Sequence, residues 1–348
     1  MNVLYHMPAP HTIYAGRTIA HGYKHAFLDL GHDFRFLTPD DDQESLLLKF
    51  KPDIFFTGVG PMTFKYLDLE LLKRAKKNGT KVFVNTPFWH SPLSKSRINE
   101  VPSLSEIKDW VSLISSGAFG DVYYNICEQG DERMKGFEAT TGYKHHTLLL
   151  AADKTLIFPE YDDQFRAAVS YVGTYLPDKK AFTEEYVLPL KKKYDLKLYG
   201  QDWSQLDRHL GFLQKVGQYL NIPGLRSLQK PKLQLEDERR IYSSSSVLIN
   251  IHEEYQKKYG DINERTFKVL CSGGLLVSDN VPTLSKYFTV GKELVIAQSR
   301  DDWFEKIEYY VAHPSEGKKI GQAGRKKVLS KHTYHHRVEQ ILKLYQTL

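Results

Sequence analysis

Short apolar runs alternate with amphipathic segments along almost the whole chain, and this alternation restricts the fold more than any other feature. Asn2–His6, Phe34–Leu37, Asp53–Gly58, Lys81–Asn85 and Asp121–Ile126 are apolar runs bounded by turn residues and read as strands. Between them, Ile19, Tyr23, Ala26, Phe27 and Leu30 recur at helical spacing, and Ser45–Phe50, Phe64–Lys77 and Leu104–Ser115 read as further helices, the last with Ser103 as its N-cap. Gly31-His32 and Gly79 supply helix stops. Strand and helix in strict alternation with short connections imply a parallel sheet covered by helices on both faces. The amino-terminal half is therefore expected to be an α/β, Rossmann-like, doubly wound domain.

Around Pro159-Glu-Tyr-Asp-Asp-Gln164 the pattern lapses into a polar stretch, and then it restarts. Ala167–Gly173, Leu196–Gly200, Val247–Ile251 and Gly274–Ser278 read as strands; Lys180–Tyr194, Asp237–Ser243, Glu264–Cys271, Asp301–Ala312, Pro314–Ser330 and Tyr334–Gln346 read as helices. A chain of 348 residues also exceeds what one hydrophobic core normally organises. The expected organisation is one Rossmann-like domain over residues 1–165 and a second over 166–333, with a helix over 334–348 crossing back onto the first. Two such domains facing across a cleft bring the carboxyl ends of both sheets together, which suits a two-substrate reaction.

Composition narrows the class. With 41% hydrophobic and 26% charged residues the chain has the balance of a folded globular protein. Its first residues lack a basic leader followed by a long apolar stretch, and no apolar run is long enough to span a bilayer, so a cytoplasmic location is expected. Cys127 and Cys271 stand far apart, without metal-ligand spacing, which suggests neither a disulfide framework nor a zinc site. The net charge of +6 comes from dispersed runs such as Lys73–Lys77, Lys191–Lys193 and Arg325–Lys327. Such runs are solvated helix ends or, in a second reading, peripheral attraction to anionic lipid at the inner membrane face. No aromatic-basic motif points to nucleic acid as a partner.

The stretch from Asn263-Glu-Arg-Thr through Cys271-Ser-Gly-Gly274 to Asn280 reads as a polar loop, a helix, a glycine break and a buried strand. Asn263, Glu264, Arg265 and Thr266 at a helix start suit a diphosphate, because unpaired amides and the positive end of the helix dipole point at the ligand. Arg265 adds a fixed charge. An ordinary αβ unit with a capped helix stopped at Gly273-Gly274 explains the same residues equally well.

The carboxyl half resembles glycosyltransferases of the two-Rossmann-domain (GT-B) fold, specifically the spore-maturation-type group with a family 1-like donor domain. Several landmarks carry the resemblance in order: Val172-Gly173-Thr174-Tyr175 leading to Lys179-Lys180, Leu198-Tyr199-Gly200, Ile241-Tyr242 before Val247-Leu-Ile-Asn250, Asn263-Glu-Arg-Thr-Phe267 through Gly273-Gly274, and a tail with Tyr309-Tyr310, His313-Pro314, Gly321, Gly324 and His332-Thr333-Tyr334. The matching region runs from about residue 167 to 345. In the amino half, Tyr14-Ala-Gly16-Arg17 stands where a glycine-containing loop approaches donor phosphates, and Leu30-Gly31-His32 resembles the close of the first helix in the same fold. The chain departs at one place. Many retaining members carry two glutamates eight residues apart, the second holding the donor ribose, and the corresponding positions here are Gly260 and Lys268. Glu264 or Asp261 is a possible substitute.

The resemblance implies transfer of a sugar from a nucleoside diphosphate sugar, such as a UDP sugar, to a hydroxyl of a glycan, lipid-linked or small-molecule acceptor. No cofactor is expected beyond the nucleotide sugar as co-substrate, and no metal, since no Asp-x-Asp ends a strand. Arg265, Lys179, Lys180 and backbone amides near Gly173 and Glu264 would stabilise the departing diphosphate. Asp40-Asp-Asp42 is the one run resembling metal ligands, and a helix N-cap explains it better. If the reaction inverts the anomeric centre, His11, His21 or Glu128 is the expected general base; retention needs none. Trp89-His90 and Trp203 could stack on a sugar or base. The competing readings are a nucleotide-sugar epimerase on the same fold and a non-catalytic nucleotide-sugar-binding module.

Overall fold

Strand β1 (Asn2–His6) pairs in parallel with both β2 (Asp33–Leu37) and β3 (Ile54–Gly58), so that Val3 sits opposite Phe34 on one side and Ile54 on the other. The computed structural model describes residues 1–12, 15–92, 102–175 and 179–348. β4 (Lys81–Asn85), β5 (Val122–Asn125) and β6 (His145–Thr147) extend the sheet, every pair parallel, in the order β2-β1-β3-β4-β5-β6. The order reverses between β1 and β3. Ile54, Phe55, Val82, Phe83 and Val84 have no exposed surface, as expected for strands covered on both faces.

A second parallel sheet contains β7 (Ala167–Val172), β8 (Leu196–Tyr199), β9 (Ser245–Asn250), β10 (Leu276–Asp279) and β11 (Val295–Ala297), in the order β11-β10-β9-β7-β8. Here the reversal falls between β7 and β9. The longer helices are α1 (Ala15–Asp29), α2 (Leu69–Lys77), α3 (Lys108–Ser115), α4 (Gln205–Leu220), α5 (Asp237–Ser244), α6 (Glu264–Cys271), α7 (Arg300–Ala312), α8 (Pro314–Lys331) and α9 (Tyr334–Tyr345). By internal contacts the chain divides into two units. The first contains Met1–Thr12, Tyr23–Leu149 and Arg337–Leu348; the second contains Ile13–Gly22 and Leu150–His336.

Several helices differ from the sequence expectation for local reasons. The helix expected over Phe64–Lys77 is interrupted, because the Asp68 carboxylate accepts from the Glu70 and Leu71 amides at 2.9 and 3.1 Å and starts α2 afresh. Leu104–Ser115 is likewise split, into a short turn over Leu104–Glu106 and α3. Ser103 does not cap it: the Ser103 hydroxyl accepts instead from the Ser91 amide at 2.9 Å. Helix α4 and strands β6 and β11 had no counterpart among the expected elements. No helix among the described residues is long and apolar enough to cross a membrane.

Candidate functional site

In the second unit the strand order reverses between β7 and β9, and in doubly wound sheets a ligand crevice opens beyond the carboxyl ends of the strands at such a reversal. Val172 ends β7 and Asn250 ends β9. Arg265, on the first turn of α6, reaches both: its Nε donates to the Val172 carbonyl and its Nη1 to Asn250 Oδ1 at 2.7 Å. The guanidinium lies over the Tyr171 ring, 4.6 Å from its centroid. Asn250 and Asn263 exchange amide hydrogen bonds at 3.1 and 3.0 Å, and Asn250 Nδ2 also donates to Thr266 Oγ1 at 3.0 Å. Asn263 Oδ1 in turn caps α6 by accepting from the Thr266 amide at 3.3 Å. This side-chain knot ties the start of α6 to the switch point.

Gly173 makes room for it. A Cβ at that position would lie 2.4 Å from Arg265 Nη2 and 2.7 Å from Tyr171 Oη. Gly200, with φ +117°, is packed as tightly, since a Cβ there would lie 2.5 Å from the Gly173 carbonyl oxygen. Tyr199 accepts from the Gly173 amide at 2.8 Å, and Trp203 Nε1 donates to the Gly173 carbonyl at 3.0 Å. Thr174, the next residue, is half-buried. A Gly173→Ala variant is expected to push the Arg265 guanidinium off Asn250 and to weaken anion binding about tenfold, since charge-assisted contacts fall steeply with misalignment. Titration calorimetry with a nucleoside diphosphate would read this, and an unchanged affinity would show that Arg265 does not need the space.

Lys179 is 7% exposed, donates through Nζ to the Ile251 carbonyl at 3.3 Å, and has its pKa lowered by that burial. Lys180 does not join it: the side chain is on the surface, 3.8 Å from Glu184. Two residues unmarked in the sequence complete the strand ends. His252 Nδ1 donates to Asp279 Oδ1 at 2.6 Å, and the His252 amide donates to Asp279 Oδ2 at 2.9 Å. Burial lowers the His252 pKa against the pull of Asp279; for Asp279 burial is outweighed by its contacts with His252, two of them hydrogen bonds, and by Lys257, and its pKa is lowered. The signal available in the sequence was position alone, His252 two residues after Asn250 and Asp279 at the end of the next apolar run.

A second buried cluster gathers around Lys268, one turn further along α6. Lys268 Nζ lies 2.6 Å from Glu238 Oε2 and 3.5 Å from Glu264 Oε2. Glu264 also accepts from Thr18 Oγ1 at 2.5 Å and Tyr334 Oη at 2.7 Å, while Tyr242 Oη donates to Glu238 at 3.0 Å. Burial would lower the Lys268 pKa, but Glu238 and Glu264 outweigh it and hold the ammonium charged; burial raises Glu264. Arg17, at the start of α1, donates to the Leu233 carbonyl at 3.3 Å, and Gly16 beside it is exposed. Tyr14 of the same loop lies outside the described residues. Gly273 and Gly274 close α6, their amides returning to the Leu270 and Val269 carbonyls at 2.9 and 3.2 Å. The sequence thus marked neighbouring residues of one helix, which the structure sorts into two bonded sets, Arg265 with Asn250, Asn263 and Thr266, and Lys268 with Glu264 and Glu238.

The first unit has its own reversal, at the ends of β1 and β3. His6 Nδ1 pairs with Thr57 Oγ1 at 3.0 Å, and His6 Nε2 is buried without a hydrogen-bond partner. His11 is exposed in the loop after β1, and Glu128 is half-buried after β5, its carbonyl accepting from the Asp131 amide at 3.1 Å. His21 is half-buried on α1 and counts with the second unit, so the three expected candidates do not share one unit. Trp89 is 5% exposed and packs against Phe137, a core position and not a stacking platform. The aspartates at 40–42 serve the local turn: Asp41 accepts from the Thr38 amide at 2.7 Å, and Asp42 accepts from the Glu44 and Ser45 amides at 3.1 and 3.3 Å. Among the described residues no group of three or more His, Cys, Asp or Glu is arranged to hold a metal ion.

Burial pushes His6 and His145 down to about 4 each. Both stay neutral in the folded chain while their unfolded counterparts take up protons near pH 6.5, so stability is lost as pH falls from about 6.5 towards 4. The loss is of order 3 kcal/mol per histidine at full displacement. A His6→Gln variant is expected to reduce the pH slope of the unfolding free energy by close to one proton in that range, and an unchanged slope in urea titrations would refute the assignment.

Residues 180–343 match a protein family described as glycosyl transferase-like. No curated protein matched the chain in sequence. Among solved structures, sucrose-phosphate synthase from Thermosynechococcus elongatus superimposes with a TM-score of 0.61 at 12% identity, covering 99% of this chain and 98% of that one. An α-glucosyltransferase in complex with UDP and a 13-mer DNA gives 0.64 at 12% identity, covering 99% of each chain. Anabaena HepE in complex with UDP and glucose gives 0.58 at 10% identity, again over 99% of each. At these identities the likeness establishes the fold, that of the two-Rossmann-domain (GT-B) glycosyltransferases.

Proposed function

We propose that this chain transfers a sugar from a nucleoside diphosphate sugar to an acceptor hydroxyl, with the donor held by the second unit. The observation that carries the reading is Arg265, fastened to the ends of β7 and β9 at the strand reversal, with the buried Lys179 donating one residue beyond β9. Glycosyl transfer builds negative charge on the departing diphosphate, and preorganised cations at such a position stabilise it without a metal ion. The UDP held by HepE and the α-glucosyltransferase makes a uridine donor the first choice. The acceptor falls to the first unit, where the His6–Thr57 pair stands beside the reversal of β1 and β3 and where His11 or Glu128 would act as base if configuration inverts. Residues 1–165 with 334–348, and 166–333, are the proposed acceptor and donor domains. The buried, unbridged thiols Cys127 and Cys271 suit a reducing, cytoplasmic setting.

One observation favours a non-catalytic binding module as the second reading. Lys268 stands where the resemblance calls for a ribose-holding carboxylate, and it is already paired with Glu238 and Glu264. The deciding experiment is thermal shift with UDP, GDP and dTDP, followed by an NMR time course of the matching nucleotide sugar with and without glycan, lipid-linked and oligonucleotide acceptors. Transfer supports the first reading; nucleotide binding without turnover supports the second; turnover of donor alone to an isomer indicates an epimerase. No nucleotide response would remove all three.

A further inference from the structure

Helix α4 is amphipathic with its polarity reversed. Its inward positions are Asp207, Gly211, Gln214 and Gly217, all buried. They pack through small and polar groups: Gln214 Oε1 accepts from the Gln229 amide at 2.8 Å, Gln229 Nε2 donates to the Asp207 carbonyl at 3.0 Å, and a Cβ on Gly217 would lie 2.4 Å from Leu225 Cβ. The apolar residues face outward. Leu206 is 67% exposed, Phe212 52%, Leu213 42%, Tyr219 38% and Leu220 65%, and Ile222 just beyond the helix is 40% exposed. At 100° per residue these helix positions cover an arc of about 140°. They make up a large share of the exposed bulky apolar side chains among the described residues, gathered on one helix and its following turn.

Charge selects the partner. From Ser204 to Lys232 the chain carries Arg208, Lys215, Arg226, Lys230 and Lys232 against a single carboxylate, Asp207, which is 8% exposed and paired with Lys232. Arg208, Lys230 and Lys232 are exposed. A second copy of the helix laid against the first would bring like charges together, whereas an apolar face flanked by cations is the composition of a helix lying in a lipid interface. We propose that α4 and the turn after it dock on an anionic lipid surface, the leucines and Phe212 entering the headgroup boundary and Arg208 and the neighbouring lysines meeting the lipid charge. Arg208 also lies 5.7 Å from the Tyr175 ring, but the proposal does not depend on the transfer reaction.

The test is sedimentation of the full chain with phosphatidylcholine vesicles and with vesicles containing phosphatidylglycerol. Binding is expected to the anionic vesicles and to weaken with salt, because surface charges are screened. The triple variant Leu206→Glu, Leu213→Glu, Leu220→Glu is expected to bind at least about tenfold more weakly, and Arg208→Glu with Lys230→Glu to lose the preference for anionic lipid. All five positions are exposed, so the melting temperature should stay close to that of the unsubstituted chain, which separates a binding defect from a folding defect. Absence of binding to either vesicle, or equal binding by the triple variant, would overturn the proposal. So would a dimer in analytical ultracentrifugation that the triple variant converts to a monomer, since the face would then join two copies of the chain.

Discussion

Replacing Arg265 with alanine is expected to lower the affinity for nucleoside diphosphates about a hundredfold, a loss of about 3 kcal/mol. Two effects add. The substitution removes the fixed charge, and it takes away the guanidinium donor to the Val172 carbonyl and one of two donors to Asn250 Oδ1, which keeps only the Asn263 amide. Asn250 also bonds Asn263 and Thr266, so the loosened amide should loosen the start of α6 as well. Arg265→Lys separates charge from geometry, because an ammonium retains the charge but cannot fork between the two oxygens. It is expected to fall between the native chain and the alanine variant. Calorimetric titration with UDP measures all three, and an alanine variant within twofold of the native affinity would remove Arg265 from the site.

Lys268→Glu is expected to destabilise the second unit by about 3–5 kcal/mol and to lower its melting temperature by roughly 10 °C. The ammonium lies within ion-pair distance of both Glu238 and Glu264, and all three side chains are largely buried. A glutamate would leave three carboxylates sharing that space. The reversed pair, Glu238→Lys with Lys268→Glu, is expected to recover much of the loss, as a double-mutant cycle would show. Calorimetric scans at neutral and acid pH add a check, since protonating the carboxylates should shrink the defect. A Lys268→Glu chain as stable as the native one would mean that the cluster does not hold α6 in place. Nucleotide affinity of the same variant asks whether the ribose wants a carboxylate here.

What could be read in advance depended on how local the cause was. The parallel strands that carry both cores appear as continuous apolar runs because each is buried on two faces, and Phe55, Val84, Ile249 and Val277 are among the most buried residues. Asn263 at the start of α6 was legible because a cap acts over three residues. β6 and β11, three residues each, are too short to show a period. Helix α4 escaped because its buried face is glycine, glutamine and aspartate while its leucines face outward, the inverse of the pattern that marks a helix. The break before α2 hung on one carboxylate, Asp68, inside an otherwise helical stretch.

The sequence by itself determined the class of fold, because alternating apolar runs and amphipathic segments with short links admit little other than parallel sheets under helices. It also marked Arg265 as a charge at a helix start. Only the tertiary structure decided what Arg265 touches, because the contact with Val172, 93 positions away, exists only when β7 and β9 are neighbours. Lys268 was visible as a departure, yet its meaning came from Glu238, which α5 brings within 2.6 Å. Neither contact has a local signature. Strand order and helix packing place such partners through the sum of many burial interactions across the chain, and that sum is not written in the neighbourhood of any one residue.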